Sequence, residues 1–349
     1  MPTIVPNPHR AQGGLTVDCP VPSHDAAAVA RLLQRCPAHR ETPLRQMMDL
    51  AARIGVDQLW IKDESARMGL GSFKALGAAY VIARDAAARG TKPDATSLTH
   101  TTYVTASAGN HGLSVAAGAA IFGAKAVIYL ADTVPEAFAD RLRAKGAKVM
   151  RAGVTYEDSM QAAFESAQDN GWTLLSDSTW DGYIDQGHGV MEGYTQMAAE
   201  MARQVPQPPT HLLLQAGVGG LAGAIAAYAR QVWGEDLQII VVEPDAAPAL
   251  LSSILNGKPV TAPGPVSDMG RLDCKTPSLV ALAGLSRDAN SFVAITEDEA
   301  HHSVRVLADN GVHTTPSGGA GIAALLAGLP QIDATSRVLT IVSEGPEDG

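Results

Sequence analysis

Short apolar runs alternate with helix-spaced segments along most of the chain. Each run ends in a turn rich in glycine or polar residues, and a segment with apolar residues three or four positions apart follows it. This repeat predicts parallel strands joined by right-handed helical crossovers. The predicted strands are residues 58–62, 102–105, 126–131, 148–153, 172–177, 211–215, 237–243, 292–296 and 337–344.

Helices are predicted between these strands and before the first of them. They cover residues 25–36, 74–89 and 113–122, and others begin near Pro135, Thr155, Gly187, Gly217 and Glu297. Because strands and helices alternate throughout, the whole chain is predicted to be of one α/β class, and its 349 residues are enough for two domains. Residues 259–279 carry four prolines without a clear period, which predicts a long loop, either functional or a simple surface excursion.

Composition narrows the classes of partner and compartment. The chain has 26 basic and 36 acidic residues, a formal net charge of -10 and no basic cluster, so a nucleic-acid partner is not expected. Three cysteines without a Cys-x-x-Cys pair favour neither a disulfide framework nor a zinc ribbon. The chain shows neither a signal peptide nor an uninterrupted membrane-spanning run, so we expect a cytoplasmic protein without a membrane partner.

Lysine is scarce, and one lysine has an unusual position. The eight lysines are at positions 62, 74, 92, 125, 145, 148, 258 and 275. Lys74 follows Ser72 and Phe73 and opens an alanine-rich helix, where the helix dipole disfavours a cation and is expected to lower the pKa of Lys74. A lysine with a lowered pKa is a candidate Schiff-base nucleophile. The alternative is a side chain that extends into solvent.

Two further turns at predicted strand ends carry polar groups. Residues 105–112 read T-A-S-A-G-N-H-G and offer backbone N–H groups, the Ser107 hydroxyl and the Asn110 amide, which could hold a carboxylate and a phenolic oxygen. The alternative there is a helix cap with polar turn residues. Ser343 ends the last predicted strand, where its hydroxyl could meet a heterocycle or could only cap a turn.

A glycine-rich turn, Q-A-G-V-G-G-L-A-G at residues 215–223, leads from a predicted strand into a helix. Its glycines let the backbone approach an anion closely, and its N–H groups favour a phosphate. The turn also imitates a dinucleotide fingerprint, since Glu243 ends the next strand 26 residues beyond Gly217. A nicotinamide-dependent dehydrogenase is therefore an alternative.

Other polar residues are expected to play structural roles. His301 and His302 are adjacent on a predicted helix, so their side chains project about 100° apart and cannot both bind a metal from one face. No metal site is expected. Asp63 and Glu64 lie in a polar turn, where a solvated or structurally paired role is predicted and a catalytic carboxylate is the alternative.

In chain order, the four turns with candidate chemistry are the first at residues 72–74, the second at residues 105–112, the third at residues 215–223 and the fourth at residues 343–345. Together they resemble those of pyridoxal-phosphate enzymes of the tryptophan-synthase-β type, also called fold type II. The resemblance runs from T-P-L at residues 42–44 to S-E-G at residues 343–345, nearly the whole chain. Within that family the chain looks most like the diaminopropionate ammonia-lyases. The motifs that carry this resemblance are K-D-E-S at 62–65, M-G-L-G-S-F-K at 68–74, D-S-T-W-D-G-Y at 177–183, M-E-G-Y at 191–194, Q-A-G-V-G at 215–219 and V-E-P-D at 242–245.

The resemblance implies an architecture for the chain. Fold type II has two open, twisted, mostly parallel sheets flanked by helices. The implied division is a large cofactor domain of residues 1–82 and 186–349 and a small mobile domain of residues 83–185. Such enzymes usually dimerise, so a homodimer is expected.

The resemblance also implies pyridoxal 5'-phosphate as the cofactor and a small amino acid as the substrate. The implied catalytic residues are Lys74, as the Schiff-base lysine and the base at Cα, and Asp177, which would hold the β-ammonium of the substrate. The alternative for Asp177 is a turn or cap residue after the strand before it. A neutral hydroxyl at the pyridine nitrogen, unlike a carboxylate, favours β-elimination over transamination. The implied cofactor contacts are Lys74, Asn110, Gly217, Val218, Gly219, Gly220 and Ser343, and the implied substrate contacts are Ser107, Ala108, Gly109 and His111.

The implied reaction is α,β-elimination from 2,3-diaminopropionate, or a close analogue, to pyruvate or a related 2-oxo acid and ammonia. These lyases typically read D-G-N-H-G at the second turn, where the aspartate is proposed as the base for the D-isomer. Ala108 stands at that position, so the L-isomer is expected to be preferred, and S-A-G-N-H-G is like the threonine dehydratases. The alternatives are a serine, threonine or hydroxyaspartate dehydratase, a nicotinamide-dependent dehydrogenase, and a catalytically inactive cofactor-binding sensor.

Overall fold

The computed structural model describes residues 2–90 and 93–346, so Lys92 lies outside the described residues. Strands and helices alternate in it as predicted. The strands are β1 Thr3–Pro6, β2 Leu44–Gln46, β3 Gln58–Asp63, β4 Thr102–Ala106, β5 Lys125–Leu130, β6 Lys148–Arg151, β7 Thr173–Leu174, β8 His211–Gln215, β9 Gln238–Pro244, β10 Ser291–Ile295 and β11 Arg337–Val342. The helices are α1 Ala26–Leu33, α2 Met48–Ile54, α3 Lys74–Arg89, α4 Asn110–Ile121, α5 Glu136–Ala144, α6 Tyr156–Asn170, α7 Asp185–Gln204, α8 Gly220–Trp233, α9 Ala249–Asn256, α10 Leu279–Asp288, α11 Glu297–Asp309 and α12 Ala320–Ala327.

The strands form two sheets. The larger has seven strands in the order β1-β10-β9-β8-β11-β3-β2, and the smaller has four in the order β6-β5-β4-β7. All neighbouring strands are parallel except the edge pairs β1–β10 and β2–β3. The predicted fold class of two open, mostly parallel sheets flanked by helices is confirmed.

Helices cover both faces of the larger sheet. Alternate residues of β9 show this directly, because Ile239 and Val241 join the core that contains α7, α8 and α10. Ile240 and Val242 join the core that contains α2, α11 and α12. A parallel strand buried on both faces reads as an almost continuous apolar run, which is why the central strands could be located from sequence.

The smaller sheet lies wholly within residues 83–185. Helix α3 packs against α4, which flanks the smaller sheet, and also against α7, which covers the larger sheet. The domain boundary predicted at residue 83 falls inside α3, and the division into a large and a mobile small domain stays a prediction. Within the described ranges, no helix is both long enough and apolar enough to cross a bilayer.

A buried ion network ties β3 and the turn before α3 to α7. The side chains of Lys62, Glu64, Arg67 and Glu200 have no exposed surface. Glu200 Oε2 lies 2.7 Å from Lys62 Nζ and 2.7 Å from an Arg67 nitrogen, and Arg67 also contacts Glu64 at 2.7 Å. Burial raises the pKa of Glu200, but the two cations outweigh it and hold that pKa at about 2. Of the two roles predicted for Glu64, solvated or structurally paired, the structure shows the paired one.

Glu200→Gln is expected to lower the free energy of unfolding at pH 7 by about 3–5 kcal/mol, because it leaves Arg67 and Lys62 buried without their shared carboxylate. A depressed carboxyl pKa stabilises the fold above the unfolded pKa, so the difference from wild type should fade as the pH falls from about 4.5 to about 2. Denaturant unfolding across that range measures it. The control is Glu235→Gln, which breaks an exposed pair with Arg10 and should change stability far less. Equal losses in both variants would contradict the network's role.

Candidate active site

Lys74 begins α3, and its turn is held against the end of the last strand. The backbone N–H of Phe73 donates to the carbonyl of Ser343 at 3.1 Å, and the N–H of Gly345 donates to the carbonyl of Gly71 at 2.9 Å. Two of the four predicted turns, the first and the fourth, are therefore joined by main-chain hydrogen bonds at the carboxyl ends of neighbouring parallel strands, β3 and β11.

The Asp177 carboxylate forms an ion pair with Lys74 Nζ in the region bounded by the four turns, hereafter the cleft. The Asp177 and Lys74 side chains are only 18% and 21% exposed. Burial favours the neutral amine, but the carboxylate outweighs it and raises the pKa of Lys74. The prediction that the helix start lowers this pKa is wrong, because a dipole effect of about 0.3–1 kcal/mol is weaker than a charge in direct contact. Burial raises the pKa of Asp177, yet Lys74 lowers it overall, so Asp177 is ionised at neutral pH.

The second turn leads into α4 and is joined to the last strand by a side chain. Asn110 Nδ2 donates to Glu344 Oε2 at 2.5 Å, which places the amide next to the Ser343 strand end. Ser107 Oγ accepts the N–H groups of Gly109 at 3.2 Å and Gly112 at 3.1 Å. The serine therefore bonds within the turn and to one N–H in the first turn of α4, whose N-cap residue is Gly109 and has no side-chain cap. Its contact with a substrate stays a prediction.

His111 is buried behind the same turn. Its Nε2 lies 2.7 Å from the carbonyl oxygen of Leu175, and because a carbonyl only accepts, Nε2 carries the proton. Burial lowers the pKa of His111 below its ordinary value, so the ring is neutral at pH 7. The ring thus supports the backbone just before Asp177, while Ala108 is half-buried and packs against the core around α3 and α4.

The glycine-rich third turn joins β8 to α8 and lies against the Asp177 turn. Gly219 adopts a φ of +97°, which favours glycine, and a Cβ at Gly220 would lie 3.6 Å from the carbonyl oxygen of Asp177. A Cβ at Gly217 would lie only 3.1 Å from Cys274 Sγ. The first turn of a helix leaves N–H groups without intrahelical partners, so this turn is suited to hold a phosphate.

Residues 259–278 form neither helix nor strand, as predicted, and they line one wall of the cleft. The Arg271 side chain packs on Gly109, where its Nε would lie 3.3 Å from a Cβ, and Arg271 Nε is 3.9 Å from Glu344 Oε2. Burial raises the pKa of the Cys274 thiol to about 11, and Asp177 adds to the shift, so the thiol is protonated at neutral pH. This loop therefore contacts the second, third and fourth turns.

Glu243 does not face the cleft. Its carboxylate is fully buried and accepts the N–H groups of Leu250 at 2.7 Å and Leu251 at 2.8 Å, which caps α9. Burial raises the pKa of Glu243 to about 8 despite these two bonds. A ribose cannot reach a carboxylate used in this way, so the dehydrogenase alternative fails at the residue on which it depended.

One histidine of the adjacent pair has a structural partner. His301 Nε2 lies 3.0 Å from Asp268 Oδ2 on the surface. Across residues 2–90 and 93–346, no group of three histidine, cysteine, aspartate or glutamate side chains is arranged to hold a metal ion.

Residues 36–344 match the family described as pyridoxal-phosphate dependent enzyme. The chain belongs to this family. Pyridoxal 5'-phosphate is its cofactor, as the motifs around Lys74 predicted.

Within the pyridoxal-phosphate enzymes, the chain is similar to diaminopropionate ammonia-lyases. It is 31% identical to that of Salmonella typhimurium, over 89% of this chain and 87% of the relative, and 33% identical to that of Escherichia coli K12, over 88% and 82%. The crystal structure of the Escherichia coli enzyme in complex with an aminoacrylate-PLP azomethine reaction intermediate superposes with a TM-score of 0.88 at 30% identity. That superposition covers 100% of this chain and 94% of the other.

The side chains of the cleft fit the cofactor of this family. The buried hydroxyl oxygens of Ser72 and Tyr194 lack a hydrogen-bond partner among the described residues, and Tyr194 packs edge-on against Phe73 with ring centroids 4.9 Å apart, beside Lys74. Buried polar atoms are normally satisfied, so these two hydroxyls have hydrogen-bonding capacity left for a polar ligand beside Lys74. An amine, a glycine-rich helix start for a phosphate and the Ser343 strand end complete a donor set that suits pyridoxal phosphate.

Four residues of the cleft wall had no predicted role. Glu344 and Tyr194 belong to the motifs S-E-G and M-E-G-Y, which marked their positions in the sequence but did not indicate what they do. Arg271 and Cys274 lie in the aperiodic loop, where no hydrophobic period indicates which side chains point inward.

Proposed function

We propose that this enzyme is an ammonia-lyase that eliminates the β-amino group of L-2,3-diaminopropionate, with pyruvate and two molecules of ammonia as products. The Lys74–Asp177 ion pair carries the proposal, because it places an ionised carboxylate in contact with the amine that acts as base. A carboxylate in that position suits a substrate with a second ammonium group. The similarity to enzymes named for this reaction supports the same substrate.

The proposed chemistry divides between the two side chains. Bound pyridoxal phosphate supplies an electron sink for the charge that develops at the substrate Cα. Lys74 Nζ, in its neutral form, takes the Cα proton. Asp177, now paired with the β-ammonium instead of Lys74, accepts its hydrogen bonds and keeps it protonated. The β-nitrogen then leaves with the electron pair of its bond to Cβ, as neutral ammonia. Addition of one water to the remaining three-carbon unit releases pyruvate and the second ammonia.

The remaining predicted contacts complete the proposed site. Ser343 would hydrogen-bond the pyridine nitrogen and Asn110 the 3'-oxygen. The α-carboxylate would lie along the second turn. The residues proposed to hold the phosphate are Gly217, Val218, Gly219 and Gly220, and those proposed to hold the substrate are Ser107, Ala108, Gly109 and His111.

Product analysis tests the proposal. The holoenzyme incubated with L-2,3-diaminopropionate should release two ammonia molecules for each pyruvate. Lactate dehydrogenase coupling measures the pyruvate, and a separate assay measures the ammonia. Absence of pyruvate would contradict the proposed function, and so would faster 2-oxo acid formation from serine, threonine or hydroxyaspartate. Catalytic turnover of any of these would also exclude the inactive sensor.

Ala108 predicts a stereochemical preference. Alanine cannot take a proton, so the L-isomer should be used at least about 100-fold more efficiently than the D-isomer, a factor within the usual contribution of a general base. The measurement is kcat/KM for each isomer. Ala108→Asp should raise activity on the D-isomer. The isosteric control is Ala108→Asn, because an aspartate in the buried interior of α4, such as Ala116→Asp, would disrupt packing. Similar wild-type rates on both isomers would contradict the role of Ala108.

We further propose that residues 83–185 close over bound substrate, that the enzyme is a homodimer, and that it acts in the cytoplasm. The separate four-stranded sheet within those residues supports the first of these. The other two stay predictions from family resemblance and composition.

A further inference from the structure

The Tyr183 hydroxyl bridges the backbone just before Asp177. It accepts the N–H of Ser176 at 2.9 Å and donates to the carbonyl of Leu174 at 3.0 Å. Ser176 directly precedes Asp177 in the chain. A single side-chain oxygen thus spans the short segment from which the catalytic turn departs.

Every polar backbone group in the middle of this segment is bonded, and Tyr183 supplies half of the partners. The N–H of Leu175 donates to the carbonyl of Val104 on β4 at 2.9 Å, and the carbonyl of Leu175 accepts from His111 Nε2 at 2.7 Å. The groups on either side, the Leu174 carbonyl and the Ser176 N–H, are bonded to Tyr183. Removing the hydroxyl would leave the Leu174 carbonyl and the Ser176 N–H without their partner, whereas both bonds of Leu175 would remain.

The Tyr183 ring is itself held in place. Trp180 stacks on it with ring centroids 4.3 Å apart and an interplanar angle of 17°, and the two residues exchange backbone hydrogen bonds of 3.0 and 2.8 Å. Burial raises the pKa of Tyr183, so the hydroxyl is neutral at physiological pH and can donate and accept at once.

The far side of the turn is anchored separately, to the start of α10. Thr179 Oγ1 lies 2.7 Å from Ser278 Oγ and accepts the N–H of Val280 at 3.0 Å. The carbonyl of Thr179 accepts the N–H of Leu279 at 3.0 Å. Asp177 therefore lies between two anchored residues, Ser176 and Thr179. The Tyr183 hydroxyl anchors Ser176, which is the nearer of the two in sequence.

We propose that Tyr183 is a positioning residue that holds the Asp177 carboxylate opposite Lys74 and so determines the preference for an amine leaving group. The inference rests on the proposed function, because it assigns Tyr183 an effect only through Asp177. It also gives a physical reason for the spacing of D-x-x-W-x-G-Y, in which the tyrosine returns to bond the backbone before the aspartate while the tryptophan supports its ring.

A double-mutant cycle tests this coupling. Tyr183→Phe removes only the hydroxyl and should lower kcat/KM for L-2,3-diaminopropionate by about 10–100-fold, since a misplacement of about 1 Å can cost that much. In the Asp177→Asn background the same change should lower kcat/KM less than about 3-fold, because the carboxylate through which Tyr183 acts is already absent. The control, Tyr129→Phe on β5, removes a hydroxyl bond of 2.6 Å to Ser166 on α6 and should preserve activity. An equal loss in both backgrounds would overturn the proposal.

Crystal structures of the wild-type and Tyr183→Phe proteins give a second readout that does not depend on turnover. The Asp177 carboxylate should move away from Lys74 Nζ in the variant, with the rest of the fold unchanged. An unmoved carboxylate would overturn the positioning role even if activity fell. If the wild-type enzyme released no pyruvate from diaminopropionate, the proposed function would fail, whereas the crystallographic comparison would still decide whether Tyr183 positions Asp177.

Discussion

Lys74→Ala should lower kcat/KM for L-2,3-diaminopropionate by about 10⁴-fold or more, which is the scale of loss when a nucleophile or its base is removed. The variant loses the amine that attaches to the cofactor and the base that takes the Cα proton. It should also lose the visible absorption that a lysine-bound cofactor gives. Steady-state assays and an absorption spectrum of the purified protein measure the two effects.

Two further variants make this result specific. Lys74→Arg keeps a cation beside Asp177 and so should fold normally while remaining inactive. Lys258→Ala removes a lysine that lies on the surface, and it should retain both the spectrum and the activity. If Lys74→Ala kept more than about one hundredth of the wild-type rate, another amine would have to serve as the base.

Asp177→Asn should lower kcat/KM for L-2,3-diaminopropionate by about 10²–10³-fold, within the usual range for a positioned acid–base group. Asparagine keeps the size of the side chain but has no charge with which to hold a β-ammonium. The pKa of Lys74 should fall as well, because the Asp177 carboxylate is what raises it against the effect of burial. Steady-state kinetics on diaminopropionate and on serine measure the loss for two different leaving groups.

The matched control for this variant lies in the same turn. Asp181→Asn changes an exposed aspartate four residues further along and should leave both activities near wild type. Serine turnover should fall much less than diaminopropionate turnover in Asp177→Asn, because its leaving group is not an ammonium. An equal loss on both substrates would mean that Asp177 supports the structure of the turn rather than the leaving group.

The elements nearest the site could be predicted from local patterns. A strand at 58–62 and a helix at 74–89 are found as Gln58–Asp63 and Lys74–Arg89. The edge strands β1 and β2 escaped prediction because they are short and largely exposed, so no apolar period marks them. Helices α10 and α12 are buried on nearly every face, which removes the amphipathic pattern that identifies a helix.

The chemistry of the site was harder to predict than its location. Motifs located the four turns, but the charge state of Lys74 depends on Asp177, a residue 103 positions away in the chain. Helix-dipole reasoning is local and therefore gave the wrong direction for that pKa. The pairing of Asn110 with Glu344 and the approach of Arg271 to Gly109 likewise arise only when distant loops are folded together.

The claim that this cleft is built for an amine leaving group is tested most directly by kcat/KM for L-2,3-diaminopropionate and L-serine, measured on the same preparation of holoenzyme. The ion pair of Lys74 with Asp177 predicts a value at least about 10-fold higher for diaminopropionate, equivalent to about 1.4 kcal/mol of transition-state stabilisation. An equal or higher value for serine would contradict the account and identify a dehydratase.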